Sequence, residues 1–289
     1  MQTVVITGGT DGLGKGLALY YLHQGARVLA VGSTPAKGEA LLAEAAAISA
    51  VDRIDFLQAD LTSVPAAKAL VARIESACSS VDKLVLCAQR YRLFGPRTVT
   101  GEGFEYSFAL AYLSRFILSH GLRNMMESAQ QPVIMNVGTP GIPLGRIHWD
   151  DLQLARRYGG TKATLQSFRA NDLLGVAFAA VHADTRIHYI GYNPGVVATG
   201  MPNHLPRPLR TFAKASFAVL ADSVAKAVAP MAQLLDGPPG EGFTAYRGTR
   251  QLPLKGGAFD EDAALRLHRL TQDLLHDRTG TESGVRRGR

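Results

Sequence analysis

Tyr158 and Lys162 are the pair in this chain whose types and spacing suit acid–base chemistry, because residues four apart share one face of a helix. An ammonium beside a phenol favours the phenolate and lowers its pKa. Tyr158 would then serve as general acid toward a ketone and general base toward an alcohol. A second constellation lies at the start of the chain. The apolar run Thr3-Val4-Val5-Ile6-Thr7 leads into Gly8-Gly9-Thr10-Asp11-Gly12-Leu13-Gly14, whose glycines permit a sharp turn and close backbone approach to a ligand. The helix predicted from Lys15 to Gln24 has unshielded N–H groups and a positive dipole end at that turn. A pyrophosphate against Gly8 to Gly14 is the natural occupant.

Further groups stand where a nucleotide would meet the next strand ends. After the second predicted strand come Gly32-Ser33-Thr34, with Lys37 a turn later and Lys15 just past the glycines. No carboxylate there would repel a 2′-phosphate, which favours NADP(H) over NAD(H), although Ser33 and Thr34 also suit a helix cap. Asp60, after the third strand, is placed either to meet an adenine edge or to close an acidic turn.

The elements that must position these groups alternate regularly. Strands are predicted over Thr3–Thr7, Arg27–Val31, Arg53–Gln58, Lys83–Cys87, Pro132–Val137 and Thr185–Gly191. Helices fall between them over Lys15–Gln24, Pro35–Ala47, Pro65–Cys78, about Gly103–Glu127 and about Trp149–Leu174. Gly25 is placed to end the first helix and Pro35 to open the second. The rhythm predicts a Rossmann-type α/β fold: a doubly wound parallel sheet of about seven strands with helices on both faces, in three α/β/α layers. Ligands of such sheets bind beyond the carboxyl ends of the strands. Residues 1–277 read as one domain, with the stretch around Pro202, Pro206 and Pro208 a loop or lid rather than a linker and 278–289 a disordered basic tail.

The totals narrow the classes of partner. The net charge is +7, of which the four arginines and one glutamate of the tail supply +3. No basic aromatic stripe accompanies the rest, so nucleic acid is not expected. Cys78 and Cys87 offer no paired spacing, as in a reducing compartment. Strand pattern begins at residue 2 and no apolar run is of membrane-spanning length, so a cytoplasmic protein without leader or membrane contact is expected. His-Glu-x-x-His and Gly-x-Ser-x-Gly are absent, and Gly14-Lys15 is followed by Gly16 rather than Ser or Thr. Metal catalysis, serine hydrolysis and phosphoryl transfer therefore lack support.

Taken together, these motifs resemble the short-chain dehydrogenases/reductases over roughly Gln2 to Leu275. Thr7-Gly8-Gly9-Thr10-Asp11-Gly12-Leu13-Gly14 matches that family's Thr-Gly-x-x-x-Gly-x-Gly turn. Asp60-Leu61, Tyr158-x-x-x-Lys162 and Asn193-Pro194-Gly195-Val196-Val197-Ala198-Thr199 follow in the family's order. Glu102-Gly103-Phe104-Glu105, Phe108 and Phe116-Ile117-Leu118 look most like the retinol-dehydrogenase-like branch. The resemblance implies hydride transfer between a nicotinamide and a carbonyl or alcohol, the cofactor supplying the redox chemistry. Tyr158 would exchange the proton, Lys162 would hold the nicotinamide ribose, and residues 200–222 would form a substrate lid. Gly8, Thr10, Asp11, Gly12, Leu13, Gly14, Ser33, Thr34, Lys37, Asp60, Leu61 and Ala88 would contact the dinucleotide. So would Pro194, Gly195, Val197 and Thr199 at its nicotinamide end.

Three positions depart from the family pattern. The usual catalytic serine falls on Thr139, whose hydroxyl can also hydrogen-bond a reacting oxygen. The helix asparagine that anchors a proton-relay water falls on Ala111, which cannot. The fourth-strand Asn-Asn-Ala-Gly reads Leu86-Cys87-Ala88-Gln89. The expected activity is an NAD(P)(H)-dependent oxidoreductase acting on a mostly apolar small molecule. The alternative, motivated by Ala111 and Gln89, is a dinucleotide-binding protein of this fold without ordinary redox turnover, acting as sensor, scaffold or non-redox catalyst. The long helices flanking the fifth strand are surfaces through which the family often associates, which admits a homodimer or homotetramer.

Overall fold

The computed structural model describes residues 1–195, 221–238, 240 and 242–280. β1 (Thr3–Thr7) is buried along its whole length and pairs in parallel with β2 (Arg27–Gly32) on one side and β4 (Lys83–Leu86) on the other. β3 (Ile54–Gln58) lies outside β2. β5 (Val133–Val137), β6 (His188–Asn193) and β7 (Phe243–Arg247) continue in parallel beyond β4. A two-residue antiparallel strand, β8 (Arg250–Gln251), completes the order β3-β2-β1-β4-β5-β6-β7-β8. The expected parallel sheet of about seven strands thus carries an eighth, antiparallel edge strand. Strand order reverses between β1 and β4, which fixes the crevice above their carboxyl ends as the ligand site of this topology.

Successive residues of each strand point to opposite faces, so the apolar strands feed two cores. Val5, Leu29, Leu84, Leu86 and Ile134 pack on one side against α3 (Val64–Ala77), α5 (Ser114–Gly121), α7 (Gly160–Val181) and α9 (Glu261–Gly280). Val4, Ile6, Val28, Ala30, Val85 and Met135 pack on the other against α1 (Gly12–His23), α2 (Pro35–Ala47) and α8 (Ala221–Asp236). Short stretches α4 (Tyr106–Phe108) and α6 (Arg123–Glu127) flank α5. Local chemistry sets the helix limits. The Asp11 carboxylate accepts the Gly12 N–H at 2.8 Å to start α1, and Gly25, at φ +78°, reverses the chain after it.

Three helices differ clearly from their expected spans, the first being α1, which begins at Gly12 rather than Lys15. The helix expected over Gly103–Glu127 starts at Tyr106, where the buried Glu105 carboxylate accepts the Phe108 N–H at 2.8 Å. It then widens into a π-helical turn over Ala109–Leu113 and breaks at Leu122. The helix expected from Trp149 begins only at Gly160. Asp151 explains the delay: its two carboxylate oxygens take the Ala155 and Arg156 N–H groups at 2.7 and 3.1 Å, holding that stretch in a loop. The strand expected over Thr185–Gly191 runs from His188 to Asn193. The basic tail expected from Arg278 overlaps α9, which reaches Gly280; residues 281–289 lie outside the described residues. Of the expected lid, 200–220 also lies outside them, and its last two positions open α8.

Candidate active site

The glycine turn crosses the switch point as expected. Gly8 and Gly12 have φ of +67° and +51°, a region that side chains with a Cβ rarely enter. A Cβ on Gly8 would lie 3.0 Å from the Ala88 amide nitrogen, and one on Gly14 only 2.3 Å from the Gly8 carbonyl oxygen. Glycine here lets the β1 turn seat against the residue that follows β4 and lets α1 begin over it. The Leu13 and Gly14 amides open α1, where an α-helix supplies no intrahelical acceptor, so the cradle suits a phosphate.

At the adenosine end the charged groups are already engaged. Lys37 is ion-paired with Asp11, both exposed, and Lys15 meets Glu44 at 2.9 Å. Ser33 and Thr34 are exposed, and Thr34 precedes α2 without a side-chain cap. Asp60 accepts the Thr62 N–H and hydroxyl at 2.9 and 2.8 Å, the turn-closing arrangement, while Leu61 is buried in the core. Beyond β6, the Gly195 N–H donates to Asn193 Oδ1 at 2.8 Å and Pro194 is half-buried. Val197 and Thr199 lie outside the described residues.

The expected phenol–ammonium pair is not assembled. Tyr158 precedes α7 by two residues, so it and Lys162 do not share a helical face. The Tyr158 hydroxyl turns to Glu105 Oε1 at 3.5 Å, and Lys162 Nζ donates to the Arg157 carbonyl at 2.8 Å. Burial and the Glu105 carboxylate raise the Tyr158 pKa above the ordinary phenol, outweighing the opposing pull of Arg92 and Arg97. That is the reverse of the expected lowering by Lys162. The physical reason is the late start of α7, which leaves Tyr158 in the loop that Asp151 organises.

On α7 itself, Phe168 packs edge-on against Tyr91, which follows β4, with ring centroids 5.8 Å apart. Thr164 stands one turn earlier on the same face, its hydroxyl buried without a hydrogen-bond partner among the described residues. Thr139, two residues beyond β5, likewise buries a partnerless hydroxyl. A buried hydroxyl without a partner carries a desolvation cost that a ligand oxygen would remove.

Sequence reasoning did not identify the group that joins the two strand ends. Arg115 of α5 is 2% exposed. Its Nη1 donates to Asn136 Oδ1 and, at 2.8 Å, to the Val137 carbonyl; its Nη2 donates to the Ala88 carbonyl at 3.1 Å and to Gln89 Oε1 at 3.2 Å. Asn136 donates onward to Asn171 Oδ1 and the Tyr189 hydroxyl at 2.9 and 3.1 Å. Asn171 in turn donates to the Ala111 carbonyl at 2.6 Å, within the π-helical turn. The available signal was a lone arginine inside the apolar run Leu113-Ser114-Arg115-Phe116-Ile117-Leu118. A cleft of about 880 Å³, lined by Ile142, Arg146, Trp149, Leu173 and Lys255 among others, opens beside the loop after β5. Thr139, Tyr158 and the glycine turn do not line it.

Sheet order and glycine crevice define a doubly wound α/β protein whose strand order reverses between β1 and β4. The chain belongs to the short chain dehydrogenase family, whose profile matches residues 2–209. Among its relatives is a candidate daunorubicin C-13 ketoreductase of Streptomyces sp. (strain C5), 30% identical over 199 residues, covering 68% of this chain and 67% of that protein. Another is human retinol dehydrogenase 14, 27% identical over 221 residues, covering 72% of this chain and 65% of that protein. Retinol dehydrogenases among the relatives accord with the branch that the sequence resembles. About a third of each of these two relatives lies outside the match. The fold is shared with the NADPH-bound carbonyl reductase from chicken fatty liver, at a TM-score of 0.62 and 18% identity over 88% of this chain and 98% of that one. Among the described residues, no helix is long and apolar enough to cross a membrane.

Proposed function

We propose that this chain is an NAD(P)(H)-dependent oxidoreductase that moves a hydride between the nicotinamide and a carbonyl or alcohol of a mostly apolar small molecule. The observation that carries the reading is the glycine cradle closed on Ala88 at the switch point, where any Cβ on Gly14 would overlap the Gly8 carbonyl. Such a cradle serves close approach of a pyrophosphate. Gly8 to Gly14 would hold it, Ser33, Thr34 and Lys37 would meet a 2′-phosphate, and Ala88, Pro194 and Gly195 would border the nicotinamide half. NADP(H) is favoured over NAD(H) because no carboxylate stands at Ser33 or Thr34. A bound nicotinamide would supply the hydride chemistry. The partnerless Thr139 hydroxyl would hydrogen-bond the substrate oxygen, and Tyr158 would exchange a proton with it after turning from Glu105.

A second reading, dinucleotide binding without redox turnover, is favoured by one observation. Tyr158 and Lys162 are turned to Glu105 and to the Arg157 carbonyl, while α7 presents Thr164 and Phe168, neither of which titrates at neutral pH. One experiment separates the two: purified protein is titrated with NADPH and NADH and then offered a panel of ketones, alongside Tyr158→Phe. The oxidoreductase reading expects NADPH to bind tighter than NADH, ketone-dependent NADPH oxidation, and a loss of turnover of at least about a hundredfold in the variant. Tight binding with no oxidation replaces it with the second reading, and equal turnover in Tyr158→Phe removes Tyr158 from the proton exchange.

A further inference from the structure

We infer that Arg115 sets an uncompensated positive charge beneath the nicotinamide end of the crevice, so that the site holds the reduced dinucleotide more tightly than the oxidised one and biases the bound pair toward alcohol oxidation. The inference rests on the proposed dinucleotide site and adds a direction to it.

The guanidinium is buried and every acceptor it meets is neutral: two backbone carbonyls and the side-chain amides of Asn136 and Gln89. No carboxylate among the described residues forms an ion pair with it, and its Nε–H is buried with no partner among them. The titratable groups that act on it are Tyr189, Cys87 and Tyr91. Burial pushes all three pKa values upward, so these groups are neutral at physiological pH and cancel none of the charge. Burial also lowers the pKa of Arg115, yet a guanidinium starts so far above neutrality that it keeps its proton.

Position gives the charge its consequence. Ala88 and Gln89 follow β4, and Val137 ends β5 two residues before Thr139, so the guanidinium bridges the two strand ends between which a nicotinamide and a substrate oxygen would meet. An oxidised nicotinamide ring is a cation, whereas the reduced ring is neutral. A fixed cation in a poorly solvated site disfavours the first and leaves the second untouched. By linkage, a site that holds the reduced form more tightly makes a bound dinucleotide a weaker hydride donor, so the bias is toward oxidation of an alcohol, whose carbon gives the hydride to the oxidised ring and whose hydroxyl proton Tyr158 would take.

The test is binding, measured by calorimetry on the full chain with NADPH, NADP⁺ and 2′-phospho-ADP-ribose, which lacks the nicotinamide; NADH and NAD⁺ are run alongside. Wild-type protein is expected to prefer NADPH over NADP⁺ by about tenfold or more. Arg115→Gln should bring that ratio to within about threefold, and Arg115→Lys should retain it, while 2′-phospho-ADP-ribose binds all forms alike. Gln89→Glu offers a route that keeps the arginine: a carboxylate at the present amide contact would neutralise the charge and collapse the same ratio. A wild-type ratio near one, or a ratio unmoved in folded Arg115→Gln or Gln89→Glu, overturns the inference and leaves the dinucleotide site standing. Failure of the wild type to bind any dinucleotide overturns both.

Discussion

Thr139 tests the candidate chemistry most directly, because its hydroxyl is buried and lacks a partner until a ligand oxygen supplies one. Thr139→Val removes the hydroxyl and keeps the shape. The expected result is a fall in kcat of around ten- to a thousandfold with dinucleotide affinity preserved, by analogy with deletion of a single oxyanion donor. An unchanged rate in steady-state assays would return Thr139 to a loop role. Tyr158 shows the limit of spacing read alone. Its distance from Lys162 fits one helical turn, but Asp151 takes the Ala155 and Arg156 amides and delays the helix to Gly160. The phenol is left facing Glu105, and its pKa moves up where the pair would have moved it down.

β1 was legible to the residue, because strand burial and the glycine turn act locally, whereas α1 starts at Gly12, three residues before its expected start, on the Asp11 cap. The same locality makes the turn easy to break. Gly14→Ala would press a methyl to within 2.3 Å of the Gly8 carbonyl, forcing the turn away from Ala88. Overpacking of that kind costs about 1–3 kcal/mol and should appear as a lowered Tm together with weakened dinucleotide binding. Full stability and full binding in Gly14→Ala would show that the turn relaxes freely. The stretch before β5 was less legible. Its apolar periodicity predicts one helix, yet the chain inserts a π-helical turn at Ala109–Leu113, whose Ala111 carbonyl is met by Asn171 from α7, 60 residues away in sequence. Position 111 cannot supply the side chain that the family pattern leads one to expect, and the surrounding polar contacts run instead through Arg115, Asn136 and Asn171.

Across the whole molecule, three elements bring His120, His182 and His268 together beside Phe116 and Phe178, with the rings of His120 and His182 5.2 Å apart. Burial first, and then repulsion from charge on His268, His182 and Arg123, push His120 down to about 3, and His182 and His268 are also lowered. Asp184 and Glu127 act in the opposite sense on His182. A base whose folded pKa lies below its unfolded value binds more protons when unfolded. Stability is therefore full above about pH 6.5 and is lost as pH falls toward the folded value. His120 alone contributes a slope of about 1.4 kcal/mol per pH unit in that range. Urea titrations between pH 7 and 5 should show the decline, and His120→Phe should flatten it; a slope indifferent to the substitution removes His120 as its source.

By itself the sequence determined the parallel α/β fold, the glycine crevice and the family, because apolar alternation, turn chemistry and helix caps are encoded within short windows. Only the tertiary structure decided the other end of the site. Tyr158 faces Glu105, α7 presents Thr164 and Phe168, and a buried guanidinium joins β4 to β5. These contacts cross dozens of residues, and the desolvation that governs their charges exists only once the layers have packed.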